Sequence, residues 1–306
     1  MTWDDLKSGT GAKALGLYVL IWGAATGYLA AKGADWSFPI ISLAIFGIAL
    51  SAIAWGLTRK IAAPVINIAN PRKESLGLLA YVAIYALVFL GWGMGALNQA
   101  IVPGQMQELA TLAYKLVIHV GLPVLVILLV GGAVRPLLTA GIRNHRWWIA
   151  FVGMSIILFG LLALVSPALS QIAELKLALP AAILSVMGAW LWVSLEAGLC
   201  EEFLFRAVLQ TRLAAWLKSP VIAIVLVSLL FALAHWPGLY FRGTPETDGF
   251  STDPVQVAAF TIAVLSPISI LFGVLWQRTH SLLLVVLLHG AVDALPFTAE
   301  FVKFWG

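Results

Sequence analysis

Two adjacent glutamates, Glu201 and Glu202, interrupt an apolar stretch of the sequence, and Arg206 follows four residues after the second one. On a helix, Glu202 and Arg206 share a face, so they can form an ion pair that lowers the cost of burying both charges. Glu201 points about 100° away from that face and is the less neutralised carboxylate. Such a carboxylate is a suitable general base for a water molecule, and the alternative is a purely structural ion pair at a helix end.

Two histidines occupy later apolar runs. His235 is followed at once by Pro237 and Gly238, which favour a bend or an end of the helix at that point. His289 and Asp293 are four residues apart, so the carboxylate could orient the imidazole, or both could meet a substrate carbonyl. The alternatives are a histidine that only bonds a neighbouring helix and a second structural pair.

The first two of these segments are related by their distance from a common turn. Glu201 lies 17 residues before Lys218, and His235 lies 17 residues after it. In an antiparallel helical hairpin that turns near residues 217–220, both residues lie roughly 25 Å from the turn. We therefore expect Glu201 and His235 to face each other, which requires one long helix from Pro180 to about Leu217.

The composition indicates which medium surrounds these helices. Hydrophobic residues make up 61% of the 306 residues and charged residues only 10%, whereas soluble domains carry about 25% charged residues. The sequence therefore predicts an all-α, polytopic transmembrane helix bundle. The net charge of +4 and the 13 Trp residues fit cytoplasmic loops and membrane interfaces, so we expect the lipid bilayer and no nucleic acid as a partner.

Nine apolar runs are long enough to span a bilayer, and eight is the alternative because the last run is short. They are Ala14–Ala31, Phe38–Leu57, Leu76–Leu97, Leu109–Val130, Trp147–Val165, Pro180–Leu199 with its continuation, Val221–Tyr240, Val255–Trp276 and Ser281–Pro296. The first run is long for a signal peptide, so we interpret it as a spanning helix. We expect N-terminal transmembrane helices over residues 1–170 and a catalytic transmembrane core over residues 171–306.

The basic residues predict how the chain is oriented. With nine alternating spans and a cytoplasmic N-terminus, 12 Lys and Arg residues fall on the cytoplasmic side and four on the other side. The four are Lys32, Lys176, Arg242 and Lys303, and the twelve are Lys7, Lys13, Arg59, Lys60, Arg72, Lys73, Arg135, Arg143, Arg146, Arg212, Lys218 and Arg278. This excess predicts that the N-terminus is cytoplasmic. We also expect the protein to lie in the cell inner, or plasma, membrane.

The three segments resemble the CPBP intramembrane protease family, also called Abi, which groups CaaX-type prenyl-protein proteases with bacteriocin-processing enzymes. The resemblance covers about 95 residues, and its motifs are Glu201-Glu202-x-x-x-Arg206, Phe231-x-x-x-His235 and His289-x-x-x-Asp293. It implies an intramembrane endopeptidase of glutamate type that acts on a membrane protein, a lipidated tail or a peptide.

The resemblance also implies roles for individual residues. Glu201 would activate the attacking water with help from His235, and Glu202 and Arg206 would hold the site together. His289 and Asp293 would stabilise the oxyanion, but CaaX-type members often carry Asn at the position of Asp293. An ionised Asp cannot donate a hydrogen bond, so Asp293 is either protonated or orients His289, which is the safer donor. Ala207 is a smaller departure, since Gly is common there.

The resemblance implies no cofactor. Two histidines and a carboxylate could bind zinc, which is the alternative, but the sequence contains no His-Glu-x-x-His motif. The single cysteine, Cys200, allows neither an intrachain disulfide nor a cysteine metal cluster.

Two other functions compete with proteolysis. A non-proteolytic membrane scaffold or bacteriocin-immunity protein could use the same fold. A transporter could use Lys115 and His119, which are four residues apart in one span, together with the glutamate and histidine cluster as a proton relay. A transporter would also be expected to have broken, repeated spans, and none is visible in the sequence.

Overall fold

Nine membrane-spanning helices account for most of the part of the chain that the computed structural model describes, residues 3–134 and 145–306. They are α1 Gly9–Ala31, α2 Ser37–Thr58, α3 Pro71–Ala100, α4 Gln105–Leu129, α5 His145–Val165, α6 Leu179–Leu217, α7 Pro220–Arg242, α8 Pro254–Thr279 and α9 Leu282–Trp305. Shorter helices occupy Trp3–Lys7 and Ala168–Glu174, and the described residues form no strand. The all-α prediction and the count of nine spans are confirmed within this part of the chain. Arg135 and Arg143, which entered the charge comparison, lie outside it.

Successive helices run in opposite directions, so the connections gather at two ends of the bundle. At one end, called here the Asp253 end, Tyr28 donates a hydrogen bond to Asp253 (2.8 Å) and Gln105 donates one to the Phe304 carbonyl (2.8 Å). At the other, the Ser219 end, Trp147 donates to the Ser281 hydroxyl over 2.9 Å. These contacts join connections that are distant in sequence. The chain is therefore an integral, multi-pass membrane protein with two distinct polar ends.

Helices α7, α8 and α9 form the centre of the bundle. In the most apolar 18-residue stretch of each of these helices, 56% to 67% of the residues are buried, compared with 17% to 28% in α1 to α6. Helix α8 packs against α1, α2 and α7, while α9 packs against α5 and α6. The outer helices expose large apolar side chains such as Leu164 and Trp92, as expected for surfaces that face lipid. The division at residue 170 stays a prediction.

Helix α6 is continuous over 39 residues, as the sequence predicted. It widens into π-helical turns over Ser194–Leu199 and Phe203–Gln210, on both sides of Glu201 and Glu202, and such turns are frequent at functional sites. Lys218 then adopts a left-handed conformation (φ 51°), and the Ser219 hydroxyl accepts a hydrogen bond from the Ile222 amide at the start of α7. This turn makes α6 and α7 antiparallel neighbours.

Candidate active site

The Glu201 carboxylate lies between two imidazoles. Its Oε2 atom is 3.9 Å from Nε2 of His235 on α7 and 3.8 Å from Nε2 of His289 on α9. The hairpin argument from sequence therefore gave the correct relative depth of Glu201 and His235. Both separations exceed a hydrogen-bond length, and gaps of this size suit a bridging water or a substrate group.

The His235 ring is oriented by its own helix. Nδ1 lies 2.8 Å from the Phe231 carbonyl, and since a carbonyl only accepts, Nδ1 carries the hydrogen and Nε2 faces Glu201. The sequence allowed α7 to end beside His235, which is wrong. The helix continues through Pro237 to Arg242 because Pro237 is buried against Gly91 of α3 and the neighbouring helices keep the chain helical.

His289 contacts carboxylates on both sides of its ring. Nδ1 lies 2.8 Å from Oε1 of Glu202, while Nε2 lies 3.4 Å from Oδ2 of Asp293. The Phe272 ring stacks on the imidazole with centroids 5.0 Å apart, which fixes the ring plane. The side chain of Asp293 is 42% exposed, in contrast to the 10% of His289. Asp293 therefore lies at the edge of the cluster and His289 inside it.

Glu202 and Arg206 form a fully buried ion pair behind this cluster. Arg206 Nε lies 3.3 Å from Glu202 Oε2, and this contact is an ion pair without a hydrogen bond. Arg206 also donates to the Ser269 hydroxyl on α8 over 3.1 Å, and its guanidinium lies 4.7 Å from the centre of the Phe231 ring. The pair connects α6 with α7 and α8.

Two glycines let α6 and α9 approach each other at this level. A Cβ added to Gly198 would lie 2.7 Å from the Val286 carbonyl oxygen, and one added to Gly290 would collide with Ser194. Small residues at such crossings allow close backbone contact between membrane helices. Because Gly290 follows His289 directly, this contact brings the imidazole to Glu201 and Glu202.

Two hollows meet at Glu201 and His235. The smaller one, about 160 Å³, also contacts His289, Asp293, Phe231 and Phe272. The larger one, about 900 Å³, extends from the same two residues to the connection after α7. Glu202 and Arg206 line neither hollow. Four of the six residues named from the sequence therefore face open space, and the other two support them from behind.

The larger hollow also contains polar residues that the motifs did not identify. Lys115 Nζ lies 2.6 Å from Glu196 Oε1, and His119 lies 2.6 Å from the Tyr85 hydroxyl through Nε2. The sequence offered Lys115 and His119 only as members of a proton relay, and in the structure Lys115 contacts Glu196 and His119 contacts Tyr85. Glu196 could have been found as the third carboxylate of its apolar run, whereas nothing in the sequence distinguished Tyr85.

Among the described residues, no group of three His, Cys, Asp or Glu side chains has a geometry that could hold a metal ion. Glu201 and its two histidines, the set that the sequence offered for zinc, lie on three different helices with oxygen–nitrogen separations of 3.8 and 3.9 Å.

Comparison with known proteins supports the motif assignment. No curated protein and no solved structure matches this chain. Residues 182–295, which include all six residues named from the sequence, match the family model described as type II CAAX prenyl endopeptidase, Rce1-like. This match confirms the resemblance of the segment to the CPBP and CaaX protease family and supports the fold of a CAAX-type intramembrane protease.

Proposed function

We propose that this protein is an intramembrane endopeptidase of glutamate type, in which Glu201 activates the attacking water. The observation that carries the proposal is the position of the Glu201 carboxylate, 3.9 Å from His235 and 3.8 Å from His289 at the junction of two hollows. A base for water, a second proton carrier and a donor for the oxyanion are the groups that peptide hydrolysis needs.

In this mechanism Glu201 accepts a proton from water while the water oxygen attacks the scissile carbonyl carbon. His235 faces the same space through Nε2 and assists in passing that proton from Glu201 to the leaving nitrogen, which departs as an amine when the C–N bond breaks. The carbonyl oxygen becomes an oxyanion, which needs a donor about 3 Å away. The Nε2 atom of His289 is suitably placed when that ring is doubly protonated, since Nδ1 is already engaged by Glu202.

The remaining three residues position these groups. Asp293 orients His289 from the edge of the site, and Glu202 fixes the opposite nitrogen. Arg206 balances the charge of Glu202 inside the protein. We propose no metal and no other cofactor for this chemistry.

The substrate class follows from the medium and the family. We propose a membrane protein, a lipidated tail or a membrane-associated peptide, cleaved by an enzyme of the inner (plasma) membrane with a cytoplasmic N-terminus. The test compares the termini of membrane proteins in cells that express the wild-type chain or Glu201→Gln. New termini that depend on Glu201 and persist with a metal chelator support the proposal. Identical termini in the two strains would refute proteolysis.

A scaffold or immunity protein of the same fold is the second candidate. Such a protein requires the folded helices but no peptide hydrolysis. Its biological effect would therefore survive Glu201→Gln and His235→Gln when both variants accumulate normally in the membrane. Loss of the effect in both variants supports catalysis instead.

A further inference from the structure

The mouth of the larger hollow lies at one end of the bundle. Its rim includes Asn98 at the end of α3, Gln107 at the start of α4, Thr247 in the connection after α7, and Glu300 near the end of α9. All four positions belong to the Asp253 end, where α3, α7 and α9 finish and α4 begins. Glu201 is therefore reached from the Asp253 end.

Within the part of the chain that the structure describes, helix α6 closes the opposite route. Every side chain from Glu202 to Leu213 is buried, and this length of helix separates Glu201 from the Ser219 end by roughly 15–18 Å. Gln210 donates to the Gly273 carbonyl over 2.9 Å, and Arg212 forms a buried ion pair of 2.8 Å with Glu74. No residue between Glu202 and Ser219 lines either hollow.

The charges assign these ends to the two sides of a membrane. Leaving out Arg135 and Arg143, which lie outside the described residues, and the buried Arg212, nine basic residues of the larger group lie at the Ser219 end, including exposed Arg59 and Lys60 after α2 and Arg278 at the end of α8. Of the described residues, Lys32, Lys176, Arg242 and Lys303 lie at the Asp253 end. Positively charged connections remain in the cytoplasm. The closed end is thus the cytoplasmic one.

We propose that the active site opens to the non-cytoplasmic side, so that its substrate is a peptide segment exposed on that side next to a membrane helix. That this peptide segment is a substrate rests on the proposed function, whereas the direction in which the site opens does not depend on cleavage. A tail that is held on the cytoplasmic surface, as a CaaX sequence would be, lies on the wrong side of the buried part of α6, so the lipidated tail drops out of the substrate classes proposed above.

Cysteine labelling of the full chain tests the direction directly. Thr247→Cys places a thiol on the rim, Thr111→Cys places one inside the larger hollow, and Lys60→Cys is the matched control at the Ser219 end. The native Cys200 is fully buried and the parent chain measures its background. Spheroplasts are treated with a charged maleimide before or after permeabilisation.

We expect Thr247→Cys and Thr111→Cys to react in intact spheroplasts, and Lys60→Cys to react only after permeabilisation. The reverse pattern, or equal labelling of Lys60→Cys and Thr247→Cys in intact spheroplasts, would overturn the proposal. The same labelling in a Glu201→Gln background should be unchanged, so failure of proteolysis would not obscure this result.

A substrate arm separates the two proposals. A farnesylated CaaX reporter on the cytoplasmic surface should remain uncleaved in cells that express the wild-type chain. Cleavage of that reporter, lost in Glu201→Gln, would refute the direction of opening while supporting the proposed protease.

Discussion

Glu202 and His289 are joined by a 2.8 Å contact between Oε1 and Nδ1, which links the first sequence motif on α6 to the third on α9. The adjacent Glu201 has no contact of that length to either histidine and faces the hollows instead. Two neighbouring carboxylates therefore have different surroundings, one being a structural partner and the other open to a reactant.

The two glutamates should respond differently to the same substitution. Glu201→Gln is expected to lower cleavage by about 100- to 10,000-fold, the usual contribution of a general base, with little change in stability. Glu202→Gln leaves Arg206 buried without its counter-charge, which costs about 3–5 kcal/mol. Cleavage rates and unfolding temperatures of both purified variants provide the measurement.

The double variant Glu202→Gln with Arg206→Met is the control for burial of a lone charge, and it should recover part of the lost stability. If Glu201→Gln destabilised the protein as strongly as Glu202→Gln, the distinction drawn from the contacts would fail.

Replacing Asp293 with Asn should reduce cleavage less than replacing it with Ala. If it orients His289, Asp293→Asn keeps a hydrogen-bonding side chain, and we expect a loss below about tenfold, or about 1.4 kcal/mol in the barrier. Asp293→Ala should lose about 10- to 100-fold, as is common for partners that orient a functional histidine. The comparison of kcat/KM against pH decides the role, because a required acidic proton on Asp293 would give the wild type an alkaline decline that Asp293→Asn lacks.

The close crossing of α6 and α9 can be tested at Gly290. Gly290→Ala places a methyl group against Ser194, so the helices must separate, at a cost of about 1–3 kcal/mol. Activity should fall as well because His289 moves with the helix. Gly160→Ala on α5 is the matched control, since nothing lies within 4 Å of a Cβ there. Equal unfolding temperatures for the two variants would contradict the crossing described above.

Lys115 and Glu196 should behave as a coupled pair. Each single variant, Lys115→Met or Glu196→Gln, leaves one charge in the larger hollow, and we expect a coupling energy of about 1–3 kcal/mol. This lies below the range for a fully buried pair because the side chains are 14% and 19% exposed. Unfolding of the four proteins of a double-mutant cycle measures it. Additive effects would show that the 2.6 Å contact does not contribute.

Lowering the pH should weaken the contacts of Asp253 that stabilise the connection before α8. Hydrogen bonds from Lys32 and Tyr28 lower the pKa of Asp253 to about 2 from its ordinary 3.8. Because the folded pKa is the lower one, the stabilisation is present above about pH 4 and is lost as the pH falls to about 2. Asp253→Asn should lack this loss, so the difference in unfolding temperature between wild type and variant should shrink across that interval. A constant difference from pH 5 to pH 2 would exclude the effect.

Much of the fold and part of the site were accessible from sequence because the relevant signals are local. Apolar runs of spanning length gave all nine helices, and four-residue spacing gave the pairing of Glu202 with Arg206 and of His289 with Asp293. Equal distances from one turn gave the approach of Glu201 to His235. Their catalytic roles stay predictions.

Contacts between helices that are distant in sequence could not be predicted in the same way. The contact between Glu202 and His289 depends on the close crossing of α6 and α9 at Gly198 and Gly290. No local sequence pattern specifies which residues of the two helices meet at that crossing. Arg212 was counted among cytoplasmic loop residues, but it lies within α6 and is buried against Glu74. Helix α7 continues beyond Pro237 because α3 packs against it there, so the sequence around the proline alone does not predict the continuation.

The smaller hollow bears on how a hydrolase inside a bilayer obtains its second reactant. Its 160 Å³ is equivalent to the liquid volume of about five water molecules, and Glu201 and His235 line both this hollow and the larger one. Water held there would lie within reach of the Glu201 carboxylate while a peptide occupies the larger space. The peptide would then not have to displace the water that cleaves it.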